Sequence, residues 1–258
     1  MDLTAENYYS KEANNEYLSA SYVKAFMNCE AAAEAERKGE WTQETSTAML
    51  VGSMVDAMLT DDYDAFLDAH PEIRKKDGTL KADFVQAAEM AKRAFRDAVF
   101  RAALDGEHQT ILTGEIGGMP FKAKLDCYVP GEKIVDLKTT RDMRPVFVPN
   151  WGKVDFATAW NWPLQLAIYR ELEGNRLPCY LAVITKETPP DIAVIRVPDS
   201  RLDTEIEVLK TKLPRIEAVR NGLVEAKRCG HCAYCRATKI LTGYTMLDEY
   251  EDGGFADE

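Results

Sequence analysis

Alternation between apolar and polar residues is clearest in the middle of the chain. Phe121, Ala123 and Leu125 are separated by single lysines, which is the period of a strand with one buried face. A turn at Pro130-Gly131 follows, and residues 134–138 (IVDLK) form a second β-prone run. Alternating runs on both sides of a turn with Pro and Gly predict a β-hairpin.

The spacing of apolar residues becomes helical on both sides of this hairpin. Residues 47–60 are apolar nearly all round, which predicts a buried helix, and Thr45 or Ser46 can begin it. Gly52 leaves room for a close-packed neighbour, and Pro163 is expected to disturb a later helix. The pattern predicts helices at about 19–38, 47–60, 81–104, 155–173 and 200–221, a short helix within 62–80, and further strands at 108–116, 179–185 and 192–198.

This order of elements predicts the fold class and the division of the chain. Three strands, a helix and two strands, with helices before and after them, indicate an α/β fold with a mixed central β-sheet flanked by helices and an N-terminal helical region. We expect a polar arm at 1–18, one domain at 19–240 and an acidic tail at 241–258, the domain consisting of a helical part (19–106), an α/β core (107–222) and a cysteine-rich segment (223–240).

Composition narrows the functional classes. Of the 258 residues, 46% are hydrophobic and 29% are charged, and no apolar run reaches the ~18 residues of a membrane span. The first residues are polar and acidic, unlike a signal peptide, so the sequence indicates a cytoplasmic protein that contacts no membrane.

Charge restricts how such a protein could bind nucleic acid. The net charge of −11 argues against binding DNA through bulk charge. A DNA-handling function would therefore need a local basic groove on an acidic body. The densest supply of Lys and Arg lies at residues 74–101, and Arg141 and Arg144 in the loop after the hairpin are candidates for contact with a phosphate.

Three charged residues of the hairpin form the first candidate site. Asp136 and Lys138 project from the same face of their strand because side chains alternate, and Asp126 ends the strand before them. Most isolated D-x-K sequences are surface ion pairs. In an apolar strand, however, these charges are costly to bury unless they pair or bind a metal. Asp56 lies in an apolar helix, where it either reaches solvent or adds a group to the site.

The cysteines indicate a second candidate site. In a cytosolic chain six cysteines do not indicate disulfides, and Cys127 and Cys179 fall in predicted strands as core residues. The C-x-x-C-x-x-C sequence at 229–235 is either chance crowding or part of a zinc or iron–sulfur site. The missing fourth ligand could be Cys29, which suits a [4Fe–4S] cluster, whereas His231 in its place would allow zinc.

Four sequence features together resemble one enzyme family. They are the N-terminal LSASYVKAFMNC helix, the pattern Gly52-x-x-x-Asp56, the hairpin Asp126…Asp136-x-Lys138 and the later helix with Gln165-x-x-x-Tyr169. Over about residues 17–240, this combination looks like the RecB-type branch of the PD-(D/E)xK nucleases, and most like the phage-type exonuclease VIII (RecE) proteins.

The resemblance implies both a fold and a function. It implies a restriction-endonuclease-like core and a Mg²⁺- or Mn²⁺-dependent exonuclease that degrades linear duplex DNA from the 5′ end. It also implies a role in phage-type recombination, a single-strand annealing protein as partner and assembly into a homo-oligomeric ring.

Residue roles follow from the same resemblance. The hairpin acids would hold the metal, which polarises the scissile phosphate and activates water, and the lysine would position or deprotonate the water and stabilise the developing charge. The family commonly has a metal-binding histidine where this chain has Asp56, and some relatives carry an iron–sulfur cluster on one N-terminal and three C-terminal cysteines. The implied catalytic residues are Asp126, Asp136, Lys138, Gln165 and Tyr169; the metal ligands are Asp126 and Asp136, with Asp56 and Glu115 as further candidates; the cluster or zinc ligands are Cys29, Cys229, Cys232 and Cys235.

Two other functions stay open at this point. A DNA-binding recombination partner could have kept the nuclease fold without its catalysis, which Asp56 and the acidic charge would suit. A structural iron–sulfur or zinc protein of another purpose could carry the same cysteine segment. Mg²⁺-dependent digestion of DNA by the purified protein would exclude the first of these alternatives.

Overall fold

The computed structural model describes residues 1–60, 62–149 and 151–244. The chain divides into two compact units. The first unit comprises residues 1–43 and 113–122 and the chain from 207 onward, and the second comprises 44–112 and 123–206. Most of the expected acidic tail (241–258) lies outside the described residues, which end at 244. No helix within the described ranges is both long and apolar enough to cross a bilayer.

Several helices begin where the sequence supplies a capping side chain. The side chains of Ser19, Ser46 and Asp97 each accept a hydrogen bond from the backbone N–H three residues later, which satisfies a donor that the first helical turn leaves free. The helices are α1 (Lys11–Glu16), α2 (Ala20–Asn28), α3 (Glu30–Lys38), α4 (Thr47–Leu59), α5 (Tyr63–Ala69), α6 (Ala82–Arg96), α7 (Ala98–Ala103), α8 (Phe156–Ala159), α9 (Trp162–Glu173), α10 (Asp199–Arg220) and α11 (Ala233–Ala237), with a 3₁₀ turn at Pro71–Ile73.

The strands confirm the predicted hairpin and the predicted mixed sheet. They are β1 (Glu107–Ile116), β2 (Met119–Val129), β3 (Lys133–Thr140), β4 (Val146–Val148), β5 (Gly152–Val154), β6 (Cys179–Thr185) and β7 (Ile192–Val197). One sheet has the order β1-β2-β3-β6-β7, and β4 pairs with β5 separately. Strands β2–β3 and β6–β7 are antiparallel, whereas β3–β6 is parallel. The parallel pair is joined through α8 and α9, because parallel strands need a crossover.

In the second unit, helices cover both faces of the sheet. Met54 of α4 and Met90 of α6 belong to a buried cluster with Val135 of β3, so these two helices pack on one face. On the other face, Cys179 Sγ of β6 lies 4.0 Å from the carbonyl oxygen of Leu166 in α9. Strands β3 and β6 thus form the middle layer of a helix–sheet–helix arrangement.

The N-terminal segment packs into the first unit although its sequence is polar. Tyr8 and Leu18 are buried, and Leu18 exchanges backbone hydrogen bonds with Pro120 and Lys122 at 2.8 Å. The Lys122 side chain is itself buried; its ammonium donates to the Asn14 side chain at 2.8 Å and to the carbonyl oxygen of Tyr8. These contacts satisfy a charge that would otherwise be costly to bury.

Three predicted helices are each divided in two, which corrects the sequence prediction. Cys29 is extended (φ −163°) between α2 and α3, Asp97 caps α7 and so separates it from α6, and Asn161 has a left-handed φ of 52° between α8 and α9. Pro163 lies in the first turn of α9, where its missing N–H is harmless. It therefore begins a helix and does not disturb one.

Candidate functional site

The hairpin brings three charged side chains together. The pairing of β2 with β3 runs from Val129 opposite Lys133 to Cys127 opposite Val135, so Asp126 and Asp136 follow the last of these pairs. Lys138 Nζ lies 2.6 Å from Oδ2 of Asp136 and 4.0 Å from Oδ2 of Asp126. The lysine is thus ion-paired with one acid and close to the other.

Asp126 also has a backbone partner. Its Oδ2 accepts a hydrogen bond from the Leu137 N–H at 2.9 Å, although Leu137 lies on the neighbouring strand. A buried backbone N–H needs an acceptor, and here the carboxylate supplies it at the point where the two strands separate. This bond fixes the orientation of the Asp126 side chain.

Helix α9 supplies two further groups from the other side. Gln165 and Tyr169 are four residues apart and therefore share a helix face. The Gln165 amide donates to Asp136 Oδ1 at 3.1 Å and to the Tyr169 hydroxyl at 2.7 Å. Because Pro163 and the left-handed Asn161 fix where α9 begins, they also fix which face of the helix meets Asp136.

The Asp136 carboxylate is buried but incompletely hydrogen-bonded. Its side chain has 0% exposed surface, and its Oδ2 forms a 2.6 Å ion pair with Lys138. Within the described residues this oxygen has no hydrogen bond of acceptable geometry. Leaving a buried oxygen unsatisfied is costly, and carboxylate oxygens are the ligands that Mg²⁺ prefers. The two acids of the hairpin therefore fit a divalent cation.

Electrostatics supports the same interpretation. Burial raises the pKa of Asp126 well above its ordinary range, and the charge of Asp136 raises it further, against the opposing effect of Lys138. Burial lowers the pKa of Lys138, but the two carboxylates outweigh burial and raise this pKa overall. The acids therefore need more positive charge than one lysine supplies, and a bound cation would provide it.

Helix α4 brings Asp56 toward this group through a close helix–strand contact. A Cβ atom on Gly52 would lie 3.3 Å from the Thr139 hydroxyl oxygen of β3, which confirms the expected close packing at Gly52. Asp56 lies one turn later on the same helix, and its charge contributes to the raised pKa values of Asp126 and Lys138. Burial raises the pKa of Asp56 itself, against the charges of nearby cationic groups.

Strand β1 contributes groups that the sequence did not identify. Gln109 donates its side-chain amide to Asp56 Oδ2 at 3.1 Å, and its own φ of 55° is strained for a residue other than glycine. The His108 Nδ1–H donates to the Asp126 carbonyl oxygen at 3.0 Å, and the charges of His108 and Lys124 lower the pKa of Asp56. No local motif marks these residues; only the positions of α4 and β1 in the fold do.

Three predicted residues lie outside this group of contacts. Glu115 is exposed on the part of β1 that belongs to the first unit. Arg141 and Arg144 are 88% and 79% exposed, and they pair with Asp142 at 2.8 Å and with Glu187 at 3.6 Å. The two arginines are available to a large ligand at the end of β3.

The first unit contains a separate cluster of four cysteines. Among the described residues, Cys29, Cys229, Cys232 and Cys235 form the group whose possible metal-ligand atoms all lie within 4.8 Å of one another. The sulfur of Cys235 is 3.6 Å from that of Cys29 and 3.9 Å from that of Cys229. Cys29 can join the group because it is the extended residue between α2 and α3.

The loop before α11 orients these thiols. The N–H of Cys232 donates to the sulfur of Cys229 at 3.3 Å, and the N–H of Cys235 donates to the sulfur of Cys232 at 3.4 Å. Burial raises the pKa of Cys229, but hydrogen bonds from Cys232 and His231 outweigh it and bring the pKa to about 6, whereas burial raises the pKa of Cys232 to about 12. His231 is exposed, with Nδ1 2.8 Å from the Cys229 carbonyl oxygen, so Cys29 and not His231 completes the cluster.

A salt bridge beside the cluster holds the two chain segments together. Glu30 accepts hydrogen bonds from the Arg215 guanidinium at 2.7 and 3.1 Å and from the Lys227 N–H at 2.8 Å. In addition, the N–H of Ala31 donates to the carbonyl oxygen of Lys227 at 3.0 Å. Cys29 and Cys229 therefore stay adjacent through contacts that do not involve sulfur.

Comparison with known proteins finds a family model and a solved structure that each match most of the chain. The profile of the family described as PDDEXK-like domain of unknown function (DUF3799) matches residues 19–238. The crystal structure of a putative exonuclease from Eubacterium rectale superposes with a TM-score of 0.93 and 40% identity, over 96% of this chain and 97% of that chain.

A second solved structure is only distantly similar. The crystal structure of SSO0001 aligns with 82% of this chain and 93% of that chain, at 14% identity and a TM-score of 0.33. No curated protein matches this sequence.

Proposed function

We propose that this chain, which belongs to the family of PDDEXK-like domains of unknown function (DUF3799), is an exonuclease that hydrolyses linear duplex DNA with Mg²⁺ or Mn²⁺. Membership agrees with the predicted PD-(D/E)xK fold, whose mixed sheet and flanking helices are present. The observation that carries the proposal is the arrangement of Asp126, Asp136 and Lys138, held by a hydrogen bond from Gln165.

The residues of the site would have distinct roles in hydrolysis. Asp126 and Asp136 would hold the cation, which when bound supplies Lewis-acid activation of the phosphate and of the attacking water. Lys138 carries a positive charge because its pKa is raised, so it orients the water and stabilises charge that develops on the phosphate. Gln165 keeps the Asp136 carboxylate in place and is itself oriented by Tyr169.

We further propose that the enzyme acts at DNA ends. Two observations support action at DNA ends. One is the match to a structure described as a putative exonuclease. The other is the resemblance of the Asp…Asp-x-Lys and Gln-x-x-x-Tyr sequences to RecE-type nucleases. Arg141 and Arg144 would contact DNA phosphates beyond the end of β3, because both guanidinium groups are largely exposed.

Digestion of labelled DNA tests the activity. We expect purified protein with Mg²⁺ or Mn²⁺ to degrade end-labelled linear duplex and to leave closed circular duplex intact. Lys138→Ala should lower the rate by about 10²- to 10³-fold, the usual cost of removing one group that stabilises a transition state. Lys133→Ala is a matched control, since Lys133 lies on the same strand but donates to the Ala102 carbonyl oxygen.

The outcomes separate the candidate functions. Digestion of circular DNA would replace the exonuclease with an endonuclease. Binding of DNA without digestion under either metal would replace it with a catalytically impaired DNA-binding partner that keeps the fold. The label position in the products would give the direction of degradation, which we expect to start at the 5′ end.

For the cysteine cluster we propose zinc rather than a [4Fe–4S] cluster. Four sulfurs at about 2.3 Å from one zinc ion, in tetrahedral directions, lie about 3.8 Å from one another. The distances of 3.6 and 3.9 Å and the upper limit of 4.8 Å within the group agree with that spacing. In a [4Fe–4S] cluster each thiolate binds a different iron on the outside of the cube, which requires a wider opening.

Elemental analysis and absorbance distinguish the two metals. Protein purified without oxygen should contain about one zinc per chain and lack the broad visible absorbance of an iron–sulfur cluster. Cys229→Ser should lose the zinc, whereas His231→Ala should keep it, because His231 points to a backbone carbonyl. Iron and sulfide in equal amounts in the wild-type protein would contradict the zinc assignment.

We also propose where the nuclease acts and what it assembles with. A nuclease of this type would act in the cytoplasm, where thiols stay reduced, and the six cysteines are all free. It would supply single strands to an annealing protein, and a homo-oligomeric ring would keep it on one duplex. Sedimentation with and without duplex DNA tests the ring: a mass that stays at one chain in both conditions would exclude it.

A further inference from the structure

The segment from β4 to the end of α8 exposes three large aromatic side chains. Phe147, Trp151 and Trp160 are 69%, 70% and 55% exposed, and they lie within fourteen consecutive residues. Burying such rings is favourable, and clusters of exposed apolar groups commonly mark interaction sites.

The register of the hairpin places an aromatic ring beside a cation. Phe147 is the direct partner of Lys153 across the two strands, so both side chains project from the same face, with Cβ atoms about 5 Å apart. This face is exposed, whereas Val146, Val148 and Val154 on the alternate face are half-buried. The hairpin therefore has an apolar inner face that attaches it and an outer face that pairs a ring with an ammonium group.

The hairpin is held next to the helix that carries Gln165. β4 packs against α8, whose first residue, Phe156, makes an edge-to-face contact with Trp162 at 5.7 Å between ring centroids. Trp162 is buried at the start of α9, three residues before Gln165. The segment from β4 to α8 also connects β3, with its catalytic candidates, to α9.

Charge selects the kind of ligand that suits this face. Besides Lys153, the approach to the hairpin carries Arg141 and Arg144, which are largely exposed and each pair with one carboxylate, Asp142 and Glu187 respectively. The neighbouring carboxylates are already engaged: Asp142 accepts from the Arg141 guanidinium and the Arg144 N–H, and Asp155 accepts from Thr158 and Arg201. Exposed rings beside the Lys153 ammonium group match a strand of nucleotides, which offers flat bases and regularly spaced phosphates.

We propose that the outer face of the β4–β5 hairpin binds unpaired nucleotides at the end of a DNA strand. The Phe147 ring stacks on a base, Trp151 at the turn provides a second ring, and Lys153 contacts the adjacent phosphate. Bases inside a duplex stack on each other and hide their faces, so these rings can reach only bases that are unpaired or terminal. This proposal deepens the proposed exonuclease function and rests on it for the nature of the ligand.

Binding measurements test the stacking role independently of hydrolysis. The probe is a 12-nucleotide single-stranded DNA labelled with 2-aminopurine, whose fluorescence reports stacking, and Lys138→Ala protein keeps the probe intact in Mg²⁺. Phe147→Ala should weaken binding by about fivefold to 150-fold, the loss that corresponds to ~1–3 kcal/mol per stacked base. Phe147→Trp should restore binding, because it keeps a stacking ring.

Two matched variants make the test specific. Phe95→Ala removes a partly exposed ring from α6 in the same unit and should bind the probe like the parent protein. Lys153→Ala should lower the slope of log affinity against log salt concentration by about 0.7, as expected when one phosphate contact to a single strand is lost.

The outcomes also separate this proposal from the proposed function. Unchanged binding by Phe147→Ala, in a protein that digests DNA, would overturn the role of the hairpin and leave the exonuclease in place. Binding that depends on Phe147 in a wild-type protein without nuclease activity would do the reverse. A change in sedimentation mass with unchanged DNA affinity would assign this face to contacts between copies of the chain and would also overturn the proposal.

Discussion

The carboxylate site of the second unit and the cysteine site of the first unit are assembled in opposite ways. Asp126, Asp136 and Lys138 come from two strands joined by one short turn. Cys29 and Cys235, by contrast, are 206 positions apart and yet their sulfurs lie 3.6 Å from each other. These three residues of the carboxylate site are close in sequence, whereas the cysteine site depends on the completed fold of its unit.

The two sites also differ in how well their groups are satisfied. The carboxylate site holds a buried oxygen without a hydrogen bond of acceptable geometry among the described residues and an acid with a strongly raised pKa. In the cysteine site, backbone N–H groups donate to the sulfurs and a salt bridge from Glu30 lies alongside. Unsatisfied groups cost stability and are typical of functional sites. We infer that the carboxylate site serves chemistry and the cysteine site serves stability.

The largest expected effect separates the sites by activity. Asp136→Asn keeps an oxygen for the Gln165 amide but removes the charge that pairs with Lys138, so the cleavage rate should fall by about 10³-fold or more. Initial rates on end-labelled linear duplex in saturating Mg²⁺ measure this. Glu89→Gln, which removes an exposed acid from a surface pair, should keep the wild-type rate. Comparable rates for the two variants would mean that Asp136 is structural.

The next effect separates them by stability. Cys29→Ser should lose its metal and lower Tm by more than about 4 °C, the upper shift that ~1 kcal/mol produces in a chain of this size, because a structural metal contributes folding free energy. The cleavage rate per folded molecule should stay unchanged. Calorimetry and metal analysis measure both quantities, with His231→Ala as the control. A wild-type Tm together with a lost metal would contradict the structural role.

A subtler change tests how Asp56 is positioned. In Gly52→Ala the new Cβ would lie 3.3 Å from the Thr139 hydroxyl oxygen, so α4 must move slightly away from β3. A small displacement of a catalytic group costs up to about 10²-fold in rate, whereas helix propensity favours alanine by up to ~1 kcal/mol. We therefore expect a rate about 10- to 100-fold lower with little change in Tm.

Its compensating variant provides the control. Thr139→Ala in the same chain removes the hydroxyl that the new methyl group approaches, so the Gly52→Ala, Thr139→Ala protein should recover most of the rate. A double variant as slow as the single one would mean that crowding at Thr139 is not the cause.

The smallest expected effect is on the thermal stability of the metal-free protein as pH changes. Because the folded pKa of Asp126 is raised, the folded state binds more protons than the unfolded state between the two pKa values. Stability therefore falls as pH rises from the unfolded pKa of about 4 through the folded pKa, and the loss is complete above it. Asp126→Asn cannot ionise, so in EDTA it should unfold at a higher temperature than wild type at pH 7.

Two further conditions sharpen this prediction. The difference in Tm between Asp126→Asn and wild type should disappear below about pH 4, where the unfolded carboxyl is also protonated. Mg²⁺ should raise the Tm of wild type, since a ligand of the folded state stabilises it, and should leave the variant nearly unchanged. A variant less stable than wild type at pH 7 would show that the Leu137 N–H bond outweighs the charge effect.

The sequence predicted what depends on short-range pattern. Alternation located β2 and β3 and put Asp136 and Lys138 on one face, and the four-residue spacing did the same for Gln165 and Tyr169. Gly52 indicated close packing because a helix position without a side chain in an apolar run leaves room for a neighbour. The family profile bears out the PD-(D/E)xK fold, while the roles of the site residues and the RecE-like branch stay predictions.

The missed features depend on tertiary contacts. The helix breaks at Cys29, Asp97 and Asn161 carry no Gly or Pro at the break, so propensity alone favoured continuous helices. Gln109 joins Asp56 only because β1 and α4 meet in the fold. His231 looked equivalent to Cys29 as a fourth ligand, and only its orientation toward a backbone carbonyl separates them.

The long separation of Cys29 from its partners has a consequence for biosynthesis. A ribosome adding roughly 5–20 residues per second needs about 10–40 s to pass from Cys29 to Cys235, which are 206 positions apart. Until Cys229 is added near the end of that interval, Cys29 is the one member of the four-cysteine cluster that has been made. Loading of the metal would therefore be among the last events in maturation and would report that the chain has been translated through Cys235.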